Sequence, residues 1–167
     1  MAAMVALAGC SLIGTEEPAT PVAVASDQPF PPQLEQGLDL AAVAGDPVAI
    51  GALAGANPAF AERIVAFAVT AHPPKAASFA AAAAQAQPDM APQLAAAAAT
   101  ANPTAAVEIA GRSAAAVPAR SEAIGDAVLA VLLPDEQRAM ETRIAEAVRA
   151  AAPPTVDDWA LAGSAKH

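Results

Sequence analysis

Basic residues are missing from the first third of this chain. No Lys or Arg precedes Arg63, while Glu16, Glu17, Asp27, Glu35, Asp39, Asp46 and Glu62 all do. Over 167 residues the formal net charge is −9. That balance excludes the basic patch on which nucleic-acid binding depends. Tyr is absent, Trp occurs once and Phe four times, so few side chains can each bury a large area. A single cysteine, Cys10, excludes an internal disulfide and any cysteine-based metal site. Of the two histidines, His72 precedes two prolines and His167 closes the sequence; neither has a cysteine or acid at ligand spacing. A nucleophile elbow and a glycine-rich phosphate loop are both lacking. No window of about twenty residues is free of both charge and proline, which excludes a membrane-spanning helix. The acid pairs Glu16-Glu17 and Asp157-Asp158 read as solvated charge, as do Glu122 and Asp126, four residues apart on one helix. The expectation is a protein that is not an enzyme and carries no metal or cofactor.

What the chain has instead is alanine and a ladder of prolines. Pro58, Pro73, Pro88, Pro103 and Pro118 stand fifteen residues apart, and Pro134 follows after sixteen. Six residues after each comes a large apolar side chain: Ile64, Phe79, Leu94, Ile109, Ile124 and Met140. Proline is tolerated in the first turn of a helix, where its missing N–H would have no partner anyway. Each proline is therefore read as a helix start and each large residue as the core knob of that helix. Positions three, six, ten and thirteen after the proline fall on one face, as in Ala61, Ile64, Ala68 and Ala71. Asn57 and Asn102 are the best N-caps, and Asp46 caps a shorter unit opening at Pro47, with Leu53 as its knob. Pro92 fits only if it lies in a first turn.

Fifteen residues leave about 17 Å of helix and a short turn, so successive helices pack as antiparallel neighbours. The fold class expected is all-α: a tandem array of short Ala-rich helices, either α-solenoid-like or a compact helical curl. It spans residues 33–152, with 134–152 as a charged C-terminal capping helix. Residues 11–32 are Pro-rich and acidic and read as a disordered tether; 153–167 read as a flexible tail.

Leu7-Ala8-Gly9-Cys10, preceded by an apolar run, resembles the lipobox of bacterial lipoproteins. The resemblance covers only these residues. It implies that 1–10 are a signal ending at Cys10 and that Cys10 is lipidated, with palmitate among its acyl chains. The partners implied are a membrane, through the N-terminal lipid, and an unidentified envelope protein. Ser11, where an aspartate would signal inner-membrane retention, points to the periplasmic face of the outer membrane. The function expected is an envelope-anchored scaffold for protein interaction or assembly, of which a pilotin-like helper is one form. The alternative is a periplasmic or secreted module holding a small apolar ligand between helices lined by Ile64, Phe79, Leu94 and Ile109. Two side chains are candidates for binding. Trp159 either docks on the helices or anchors a partner, and Phe67, nine residues after Pro58, either fills the core or forms an exposed patch.

Overall fold

A computed structural model describes residues 28–151. Eight α-helices follow one another in this span: α1 (Pro32–Ala44), α2 (Pro47–Ala56), α3 (Ala61–Ala71), α4 (Ala76–Ala86), α5 (Ala91–Ala101), α6 (Ala106–Ala116), α7 (Ser121–Ala130) and α8 (Pro134–Ala151). No strand occurs among the described residues. The chain is an all-α repeat array.

The fifteen-residue period has a local cause. Asn57, His72, Gln87, Asn102 and Val117 each precede a proline, and each adopts φ between −131° and −145° with ψ between 68° and 80°. A following proline disfavours the α region at the residue before it, so each helix stops there. The break is only one residue wide. His72 N–H donates to Ala68 O at 2.9 Å, closing the last α-turn, and His72 O accepts from Lys75 N–H at 2.9 Å, opening a 3₁₀ turn. Such turns, Pro58–Phe60, Pro73–Lys75, Pro88–Met90, Pro103–Ala105 and Pro118–Arg120, lead into α3 to α7.

Backbone bonding makes side-chain caps unnecessary at these junctions, and the expected caps at Asn57 and Asn102 are not formed. Asn57 Nδ2 donates back to Leu53 O at 2.9 Å, and Asn102 Nδ2 reaches Pro73 O at 3.1 Å. Asp46 does cap α2, accepting from Val48 N at 2.9 Å. Gly45 before it has φ 60°; its N–H and that of Asp46 bond Ala42 O and Ala41 O, a Schellman stop that favours glycine. Pro92 occupies the second residue of α5, where no intrahelical donor is needed.

The 3₁₀ lead-in also fixes the knob. Position six after the proline is the fourth residue of the α-helix, and Ile64, Phe79, Leu94, Ile109 and Ile124 there are all fully buried. α2 and α8 lack the lead-in, and the count from their prolines misses in both, the knob lying three residues early in α2 and four late in α8. Ile50, the fourth residue of α2, is the buried knob, and Leu53 is only partly covered. In α8 Ile144 is buried and Met140 is partly exposed.

The buried face is also wider than the four positions expected. In α3 it comprises Ala61, Ile64, Val65, Ala68 and Val69, whereas Ala71 is exposed. The same five positions are buried in α4, α5 and α6. At 3.6 residues per turn they span about 140° of the helix. A face that wide can serve more than one neighbour. The array has two layers: α2, α4, α6 and α8 pack side by side, α3, α5 and α7 do likewise, and each helix also touches its sequence neighbours.

Alanine makes this possible. With Cβ as the whole side chain, backbones approach closely, and where even that is too large glycine takes over. A Cβ built on Gly51 would lie 2.8 Å from Ala82 O, and one on Gly111 would lie 3.2 Å from Ala147 Cβ. Polar ties link units two apart: Lys75 Nζ to Gly45 O at 2.7 Å, Arg112 Nη1 to Ser78 Oγ at 3.0 Å, and Arg120 Nη2 to Asp89 Oδ1 at 2.7 Å. The Arg120–Asp89 pair is exposed and contributes at most about 1 kcal/mol. Cohesion therefore comes from the buried lattice.

Candidate interaction surfaces

Of the residues singled out in the sequence, Cys10, Trp159 and His167 lie outside the described residues. Phe67 projects from α3 at a position off the buried face and is 40% exposed. It is not core filling; Phe79 is, at 0%. His72 acts through its backbone at the junction between α3 and the next 3₁₀ turn. Glu122 and Asp126 are exposed on α7. Among the described residues no three His, Cys, Asp or Glu side chains come together as metal ligands, and no helix is long and apolar enough to cross a membrane.

At the N-terminal end the chain is tied down before α1 begins. Phe30, which the composition of 11–32 places in the tether, packs on Phe60 with ring centroids 5.8 Å apart. The Arg63 guanidinium lies 4.3 Å from the centre of the Phe30 ring, and Arg63 Nη1 donates to Gln28 O. An arginine over an aromatic face gains about 0.5–1 kcal/mol at such an exposed site. The folded part therefore starts a few residues earlier than Gln33.

α1 and α2 also leave apolar side chains uncovered. α1 buries Leu34, Leu38, Ala41 and Ala42, and its other side carries Leu40 at 70% and Val43 at 81% exposure. Val48, just past the Gly45 turn, is 77% exposed. The proline ladder gave no hint of this patch, because it precedes the regular units. The signal was present in α1 itself, where Leu40 and Val43 fall on the opposite side from the Leu34–Leu38 stripe.

At the other end a groove of about 500 Å³ runs between α7 and α8. Gly125 and Leu129 line it from α7, Ile144 and Val148 from α8, with Glu122, Asp126, Glu141 and Arg149 also along it. A shallower depression crosses the lead-in turns of α4 and α6, lined by Pro73, Pro74, Asn102, Thr104 and Glu108. Apolar patches at both ends and a polar middle can make protein–protein contacts. No protein family, characterised protein or solved structure matches the chain.

Proposed function

We propose that the chain is an envelope lipoprotein, anchored by lipid at Cys10, whose helical array is a scaffold for another envelope protein. The observation that carries the scaffold reading is the uncovered apolar end formed by Leu40, Val43 and Val48. Three large apolar side chains near one turn are a natural anchor for an apolar patch on a partner. The ligand-binding alternative needs space between the helices. Ile64, Phe79, Leu94 and Ile109 are each fully buried among alanines, so a ligand would have to displace that packing.

Two measurements test the two halves of the proposal. Metabolic labelling with palmitate is expected to mark the wild-type chain and to be lost in Cys10→Ala; unchanged labelling would remove the anchor. Crosslinking in the native envelope, followed by mass spectrometry, is expected to yield a specific partner with the wild type. The double variant Leu40→Asp/Val43→Asp, with unaltered helical circular dichroism, is expected to lose it. Retention of that partner would refute the proposed surface.

A further inference from the structure

The groove between α7 and α8 is the open end of one layer. α5 packs on α3 and α4, and α7, two units further on, packs on α5 and α6. Two units further again, the seam between α7 and α8 is the next seat, and no described helix follows α8. At the third, seventh and eleventh positions after its proline, α5 carries Ala91, Ala95 and Ala99, each with no exposed surface. The same positions in α7 are Ser121, Gly125 and Leu129, of which Ser121 and Leu129 are only partly covered. Gly125 is closed by α8 itself: a Cβ built there would lie 3.3 Å from Val148 Cγ2. What the groove offers a neighbour is therefore Leu129 from α7, with Ala145 and the half-buried Val148 from α8.

The rim of this seat differs from an interior seam in its charge. At the fourth and eighth positions after the proline α5 has Pro92 and Ala96, whereas α7 has Glu122 and Asp126, both exposed. Glu141 lines the groove from α8, and an adjoining depression of about 340 Å³ brings Asp126, Leu129 and Glu141 together with Gln137. Leu129 is thus bracketed by a carboxylate from each helix. Among the described residues Arg149 is the one cation lining the groove. Arg112, Arg120 and Arg138 are paired with Glu108, Asp89 and Asp135, and none of the three groove acids is in a salt bridge with a described residue.

An apolar strip between carboxylates complements an amphipathic helix whose apolar stripe is flanked by Lys or Arg. From Gln137 to Arg149 α8 rises about 18 Å, the length of a helix of about twelve residues. A second copy of this chain does not match. Its own α7–α8 groove would set carboxylates against carboxylates, and its apolar α1 side carries Glu35 and Asp39 and precedes Arg63, the first basic residue. We propose that the α7–α8 groove docks an amphipathic, basic helix of a partner protein. Its apolar stripe seats on Leu129 and Val148, and its cations face Asp126 and Glu141. The site is at the other end of the array from Leu40 and Val43 and does not depend on the lipid anchor.

The test titrates the full chain into a fluorescein-labelled helical peptide of about twelve residues, with leucines along one face and lysines on both sides of it. A twin peptide carries Glu for each Lys. Anisotropy is expected to show saturable binding of the Lys peptide that weakens as salt rises, and no binding of its twin. Asp126→Lys/Glu141→Lys is expected to weaken the Lys peptide about ten-fold or more and to admit the Glu peptide. Leu129→Ala is expected to weaken it several-fold, with helical circular dichroism retained. Glu35→Lys/Asp39→Lys makes the same change in net charge on α1 and is expected to bind as the wild type does. An equal loss in that control would overturn the proposal, because attraction to an acidic protein would then be the whole effect. So would affinity indifferent to Leu129→Ala or to the groove charge reversal. Absence of Lys-peptide binding would overturn it as well. The groove would then be a charged cap or be held by another segment of this chain, or by a second copy if sedimentation shows a dimer.

Discussion

Among the described residues Ser113 is the one buried polar side chain in an otherwise apolar lattice, and replacing it should stabilise the protein. It occupies the tenth position after Pro103, where α3, α4 and α5 carry Ala68, Ala83 and Ala98. Its side chain has no exposed surface, and Oγ has no hydrogen-bond partner. Leaving a buried hydroxyl unpaired costs about 1–3 kcal/mol relative to hydration in the unfolded chain. Alanine is also the better helix former by about 0.5 kcal/mol. Against these stands the void left by one oxygen atom, on the order of 0.5 kcal/mol when neighbours relax only in part. Ser113→Ala should therefore gain about 1–3 kcal/mol, raising the melting midpoint by roughly 4–12 °C for an array of this size. Far-UV circular dichroism in urea and on heating reads the change, and an unaltered denaturant slope would show that the unfolded state is not its source. Ser78→Ala, which removes only the exposed contact to Arg112, is the control and should change little. A midpoint that falls in Ser113→Ala would refute the reasoning, because it would show that the hydroxyl makes a favourable bond.

The shifted knob in α2 predicts that Ile50→Ala loses about 2–4 kcal/mol while Leu53→Ala, partly exposed, loses about 1, as read by denaturant titration; equal losses would return the register to that counted from Pro47. Two helical glycines should respond with opposite sign to alanine. Gly37→Ala meets only Leu53 Cδ2 at 3.6 Å and should gain about 0.5–1 kcal/mol, whereas Gly51→Ala presses on Ala82 O at 2.8 Å and should lower the melting midpoint.

The parts of the fold legible in the sequence are those with a local cause. A proline acts on the residue before it, so where each regular helix ends could be read from the ladder alone, and the fixed count to Ile64 or Leu94 then gave the knob. The count failed at Leu53 because it depends on a three-residue 3₁₀ lead-in that a string of letters does not display. Asp46 caps α2 through its side chain, and Glu136 Oε2 reaches back to Leu133 N at 3.2 Å before α8. At both places the α-helix starts directly at the proline. The second buried row, Val65 and Val69 with their equivalents, was not legible for a different reason. It exists because a helix two units away packs there, and nothing within fifteen residues records that. The same applies to the interaction surfaces. Leu40 and Val43 are exposed because no described helix covers that side of α1, a fact about its neighbours and not about α1.

Small residues thus do two jobs that are separable. Alanine's helix propensity supports each eleven-residue helix, which would be too short to persist alone in water. Its small size sets how near the helices approach, and this second job differs between the layers. In the α2–α4–α6–α8 layer Gly51 lies against Ala82, Gly55 against Ala86 and Gly111 against Ala147, so a Cβ at any of these glycines would press on the facing helix. In the α3–α5–α7 layer the buried rows include Val65, Val69 and Val128. The choice among glycine, alanine and valine at a few buried positions is thus set by which neighbour each helix faces, and exposed positions carry no such constraint.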